Sequence, residues 1–238
     1  MLCNTQAIVL KYTPYADAKV ILHLFTREYG SVSYYVRIPS GSGRKRIMPL
    51  LRPLTVVEIV ADHRPLRDIQ RIKESRVLYH PTAPGVDPAA NAVALLLTEL
   101  WDRVLRSGQK DPELFDFLHD SIGELDEVRG SALASFHLKQ MCLLSWRLGI
   151  MPDVGTYREG YVLDLSGGKF RPPGGNEEDS YRRASALLHF FLEDASPEST
   201  PLTREARNDM LDLLLLYFDV HYPGISTIRS PEILRTLF

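Results

Sequence analysis

Hydrophobic spacing divides this chain into two parts with different periods. Across residues 6–78 apolar positions run together or alternate in twos, the mark of strands. Gln6–Tyr12 carries apolar residues on both sides, Ala7 and Val9 against Ile8 and Leu10, as a strand buried on two faces would. Pro14 is expected to end it, having no N–H to donate. Lys19–Thr26 is rich in β-branched and aromatic residues. In Ser31–Arg37 the residues Val32, Tyr34 and Val36 share one side, and Ser33, Tyr35 and Arg37 the other. Tyr34 is therefore expected in a core and Tyr35 outside it. Gly30 stands where the intervening turn needs a positive φ. Leu54–Ala61 and Leu66–Leu78 complete five strands, with one longer connection after the third. That count predicts an OB-type barrel, although an SH3-like barrel has the same periodicity.

From residue 81 the period changes to that of helices. Pro81–Gly85 reads as a linker, so the expected domains are 1–80 and 81–238. Asp87-Pro88 and Asp111-Pro112 are paired start signals, an N-cap followed by a first-turn proline. Apolar stripes predict helices over 88–106, from Pro112, and from Ser131 to Gly149. Residues 150–176 interrupt the rhythm: Tyr161–Leu165, a Gly167-Gly168 turn and Lys169–Arg171 predict a small β-hairpin. Asn176 with Glu177-Glu178-Asp179 opens a fourth helix, Thr203 a fifth, and Ser230-Pro231 a short last one. The fold class is α+β: a five-stranded OB-type barrel followed by an all-α domain with an inserted hairpin.

Composition adds little until the chain is split. Apolar residues make up 45% and charged residues 24%, with a net charge of -2. Residues 1–80, however, carry 13 Lys and Arg against 6 Asp and Glu, and residues 81–238 carry 15 against 24. A basic front on an acidic remainder suggests a polyanion partner. The connection Pro39–Pro53 concentrates this charge in Gly41-Ser42-Gly43-Arg44-Lys45-Arg46 and Arg52, and is read as a flexible loop without regular structure. Its glycines let backbone approach phosphate and its cations attract it. The P-loop spacing is absent. The expected DNA-facing residues are Arg27, Arg37, Arg44, Lys45, Arg46 and Arg52, with Tyr35 stacking on a base.

Other chemistry is thin. Cys3 and Cys142 are too few for a disulfide framework or a cysteine-based zinc site. No basic and apolar leader is visible and no apolar run reaches spanning length, so a cytoplasmic protein without a membrane role is expected. His119, Asp120 and Glu124 read as a solvated helix face. Neither they nor Glu177–Asp179 supply a nucleophile with a base or a metal-ligand spacing, so no enzyme activity and no cofactor are expected.

The residues also resemble a known family. Val9-Leu10-Lys11, Leu24-Phe25-Thr26, Arg27-Glu28 and Gly30 are similar to the opening of the bacterial recombination mediator RecO. Gly43–Arg46 and Leu50–Pro53 fit that family's basic loop and entry to strand four. Leu148-Gly149-Ile150-Met151-Pro152 resembles the end of its central helix, and His221-x-x-Gly224 with Arg229-Ser230 its C-terminal region. Relatives often carry two Cys pairs that bind zinc at the hairpin. Here Asp153, Thr156, Tyr157 and Glu159 do not rebuild such a site, so the hairpin is expected to be a zinc-less remnant held by Tyr161, Leu163 and Phe170. The resemblance implies a nucleoid-associated, non-catalytic protein that binds single- and double-stranded DNA and promotes annealing. It also implies loading of recombinase onto strands coated by single-strand-binding protein (SSB). RecR and the acidic, Phe-ended SSB tail are the implied protein partners, with Arg103, Lys139 and Arg147 as candidate contacts for that tail. Two further classes remain open on the residues alone: an OB-type RNA or ribosome-associated module, and a metal-dependent phosphoesterase using the acidic part.

Overall fold

The first strand, β1, Leu2–Ala16, is long and serves two neighbours. Its first half pairs antiparallel with β4 (Val56–Asp62) over Leu2–Ile8, and its second half with β2 (Lys19–Thr26) over Ala7–Ala16. Pro14 does not end the strand. It lies in the half paired only to β2, on a free edge where a missing N–H costs no ladder bond. The computed structural model describes residues 2–64, 67–106, 109–193 and 202–238, apart from the side chains of Ser42 and Arg46. Leu66, read above as the start of the fifth strand, lies outside the described residues, as do Ser107 and Gly108.

With β3 (Gly30–Arg37) and β5 (Ile69–Tyr79) the strands close into a barrel in the order β1-β2-β3-β5-β4. β3 pairs with β5 in parallel. That pairing separates the OB-type barrel from an SH3-like one. Gly30 has φ +67, and its carbonyl accepts from the Thr26 hydroxyl at 2.9 Å, closing the β2–β3 turn.

The interior is filled by alternate residues: Val9, Leu22, Leu24, Tyr34, Val57 and Ile59 are each fully buried. Each such aliphatic side chain contributes about 1.5–3 kcal/mol. The connection after β3 is ordered, not irregular. A 3-10 turn at Gly41–Gly43 leads into the one-turn α1, Arg44–Ile47, and a second 3-10 turn, Met48–Leu51. Leu50 is buried in the barrel core, with Ile47 and Leu51 packed against it. The glycines and cations around them mask this apolar spacing in the sequence.

Ile8, Leu10, Phe25 and Val56 are buried on the barrel's other side. The following helices belong with it: α2 (Ala83–Val86), α3 (Pro88–Val104) and α4 (Pro112–Glu127). α3 packs on β1, and Phe115 of α4 stacks on Phe25 at 6.3 Å between centroids. The segment read as a linker is pinned. Asp126 accepts from the backbone N–H groups of Thr82 (2.7 Å) and Ala83 (2.5 Å) and from the Tyr79 hydroxyl (2.6 Å). Burial pushes the Asp126 pKa up, but these donors outweigh it and hold the carboxyl below its usual range. By packing, the chain therefore divides into Met1–Glu127 and Val128–Phe238.

The second unit contains α5 (Gly130–Arg147), the hairpin β6 (Val162–Asp164) and β7 (Lys169–Arg171), α6 (Asp179–Glu193), α7 (Arg204–His221) and α8 (Ser230–Leu237). α7 packs against both α5 and α6. Arg183 of α6 reaches Glu205 (2.9 Å) and Asp209 (2.8 Å) of α7. The hairpin is held by aromatic side chains. Tyr157 stacks on His189 at 3.9 Å and meets Phe170 edge-on at 5.2 Å.

Candidate nucleic-acid interface

Strand register assembles the outer face of the barrel. Tyr34 and Val36 point into the core, so Tyr35 and Arg37 point out. In the β2–β3 ladder Ile21 is opposite Tyr35 and Lys19 opposite Arg37. In the β3–β5 ladder Tyr35 is opposite Arg71. Tyr35 is thus flanked by cations from three strands. The Lys19 ammonium stands 5.8 Å from its ring centroid, within cation–π range. Among the described residues, no carboxylate lies within ion-pair distance of Lys19, Arg37 or Arg71.

Arg44 and Lys45 are exposed on α1. Their helix starts where Pro39 comes close: a Cβ on Gly43 would sit 2.9 Å from the Pro39 Cγ, so only glycine fits without a shift. The side chain of Arg46 lies outside the described residues. Arg52 is also exposed, with Nη1 at 3.3 Å from His80 Nε2. Burial first, then the Arg52 charge, lowers the His80 pKa, with the Asp126 carboxylate opposing them.

Arg27 is placed differently. Its guanidinium is bidentate on Asp116 of α4, one contact being 2.9 Å, and it lies 5.7 Å from the Phe115 ring centroid. Lys11 and Lys110 make similar ties to Asp102 and Glu28, each at 2.5 Å. Part of the opposite charge on the two sequence segments is therefore matched internally.

The partner candidates do not form one site on a single unit. Arg103 lies in the last turn of α3 in the first unit, and Lys139 and Arg147 lie on α5 in the second. The Arg147 guanidinium lies 4.6 Å from the Trp146 ring centroid, and Trp146 is 56% exposed. Two of the residues behind the sequence resemblance have structural roles. His221 Nε2 lies 3.1 Å from the Leu165 carbonyl, and Gly149 ends α5 at φ +71. No group of three or more His, Cys, Asp or Glu side chains is arranged to hold a metal among the described residues.

Sequence reasoning missed Lys19 and Arg71. Each is an ordinary surface cation in its own strand, and only the pairing of β2, β3 and β5 brings them beside Tyr35. The alternation that put Tyr35 and Arg37 outside carried half of that signal.

The chain matches the family description "Recombination protein O N terminal" over residues 1–80 and "Recombination protein O C terminal" over residues 85–228. It is 33% identical to a DNA repair protein RecO of Porphyromonas gingivalis over 247 aligned residues, and 31% identical to that of Phocaeicola vulgatus over 243. Both alignments cover all of each chain. An aspartyl-tRNA synthetase of Entamoeba histolytica aligns with 55% of its own chain at 10% identity and a TM-score of 0.26, a likeness on which nothing rests. With an OB-type barrel in front, helices behind and full-length relatives of one kind, the chain belongs to the RecO family of DNA repair proteins.

Proposed function

We propose that this protein binds single- and double-stranded DNA on the outer face of β2, β3 and β5 and promotes strand annealing. The observation that carries this reading is Tyr35, set among Lys19, Arg37 and Arg71 with no ion-pairing carboxylate at those cations among the described residues. A π-face for a base beside cations for phosphates is the minimum for sequence-tolerant single-strand binding. Strands 2 and 3 are also where OB barrels take oligonucleotides. Arg44, Lys45 and Arg52 add further exposed cations to the same unit, and Arg46 is proposed with them from its place in the sequence alone.

In this reading residues 1–80 are the nucleic-acid module and residues 81–238 the scaffold and docking part. The protein acts without a catalytic step, in the cytoplasm at the nucleoid. It loads recombinase onto SSB-coated strands with RecR as partner. Trp146 with Arg147 offers an aromatic surface and a cation to the acidic, Phe-ended SSB tail, and Arg103 and Lys139 are the other candidates for that contact.

Titrating the full chain with a fluorescent single strand at several salt concentrations tests the DNA face. Replacing Lys19, Arg37 and Arg71 together with Gln is expected to lower the log–log salt slope by about 0.7 for each phosphate that is no longer neutralised. An unchanged slope in a folded variant moves the site off this face. An annealing assay then separates the mediator from an RNA-binding module: tight RNA binding with no effect on complementary DNA strands would favour the latter.

A further inference from the structure

A polar cleft of about 490 Å³ lies at the Ser31 end of the same strand face. Small-molecule pockets commonly run from about 300 to 1,000 Å³, so the space suits a phosphate with its attached sugar. Ser31 and Ser33 of β3 and His23 of β2 line it, and the row along β3 continues from them to Tyr35 and Arg37. Lys11, Arg67 and Arg106 bring three cations from β1, the β4–β5 connection and the end of α3. Against them stand two carboxylates, Asp68 and Asp102, and a second imidazole, His63.

Asp102 does not neutralise the cleft. It is shared by Lys11 at 2.5 Å and Arg106 at 3.4 Å, so one carboxylate serves two cations. Arg67 has no carboxylate within ion-pair distance among the described residues. His23 has its Nδ1 3.4 Å from the Ser33 hydroxyl and its Nε2 3.3 Å from the Thr13 hydroxyl. Hydroxyls can donate or accept, so both nitrogens keep partners whether or not the ring is charged. Burial first, then Lys11, with Arg106 adding and Asp102 opposing, holds the His23 pKa below 6.5. An anion in the cleft would reverse the sign of the local field and draw a proton onto the ring.

We propose that this cleft seats a phosphate group, held by Lys11, Arg67, Arg106 and the serine hydroxyls, and that binding there is coupled to protonation of His23. Resting on the DNA-face reading, the phosphate is one of the strand's own, and DNA binding tightens as pH falls.

NMR titration of the His23 imidazole in the full chain, with and without inorganic phosphate, tests the seat directly. Phosphate is expected to raise the His23 pKa, and Arg106→Gln to shrink that rise. A His23 titration that phosphate leaves unmoved overturns the proposal. The second arm measures affinity for a short oligothymidylate. It is expected to tighten about fivefold from about pH 7.5 to about pH 5.5, as a charged hydrogen bond forms, and to lose this increment in His23→Gln. An equal increment in His23→Gln overturns the coupling. If phosphate moves His23 but the oligonucleotide does not bind, the seat stands for free phosphate and the DNA-face reading falls.

Discussion

Arg27, just past β2, grips Asp116 of α4 through two guanidinium nitrogens. This pair joins the strand that carries one of the family's recognisable motifs to the helix that covers the barrel's outer apolar side. Both side chains are partly solvated, at 37% and 50% exposed, so the tie is worth about 1 kcal/mol or less.

Arg27→Ala is therefore expected to lower unfolding stability by about 0.5–1 kcal/mol, with Asp116→Asn similar and the double change less than additive. The salt dependence of DNA binding should stay as it was. Chemical denaturation and the DNA titration check the two halves; a lower salt slope in Arg27→Ala would show that Arg27 reaches phosphate.

Tyr35 offers a sharper test of the face than any single cation, because its side chain points away from the core. Base–aromatic stacking is worth about 1–3 kcal/mol. Tyr35→Ala should weaken single-strand affinity about tenfold, within that range, and Tyr35→Phe should retain it. Equal affinity in Tyr35→Ala would leave only phosphate binding on this face.

His137 is expected to make the second unit sensitive to acid. It is fully buried in α5, and its Nδ1 has no hydrogen-bond partner among the described residues. Burial, with the Arg207 guanidinium adding to it, lowers its pKa from 6.5 to about 3. Between those values the unfolded chain binds a proton that the folded chain does not. Stability should therefore fall as pH drops through this window, by up to about 1.4 kcal/mol per unit, and be independent of this group above it. Denaturant midpoints from neutral pH to about pH 4.5 should decline less steeply in His137→Leu.

The hairpin answers a different question. Phe170 is buried to 4% exposure among Tyr157 and His189. Phe170→Ala should destabilise the second unit by about 3 kcal/mol, read as a lower melting temperature. Treatment of the unaltered protein with EDTA should leave that temperature unchanged; a drop would reveal a bound metal.

Much of the fold was legible before any coordinates. Alternation in Ser31–Arg37 correctly divided Tyr34 from Tyr35, because a strand's period of two is set by local backbone geometry. The paired Asp-Pro signals found the starts of α3 and α4, since an N-cap carboxylate and a proline without an N–H act within one turn: Asp87 accepts from Ala89 N–H at 2.8 Å. Two segments misled the reading for an opposite reason. Around Arg44–Leu51, composition suggested a loop, while Leu50 filling the barrel core made it ordered. Pro14 suggested a strand end, while the edge position of that half of β1 removed the penalty.

The sequence by itself determined which side of β3 is apolar, where α3 and α4 begin, and which family the residues resemble, because these depend on neighbours within a few positions. Only the tertiary structure decided which cations stand together. It bound Arg27 to Asp116 across 89 positions and brought Lys19, Tyr35 and Arg71 side by side from three strands. Pairing between strands and helices is a long-range choice made by burial of the whole core, and a charge's neighbours follow from that choice.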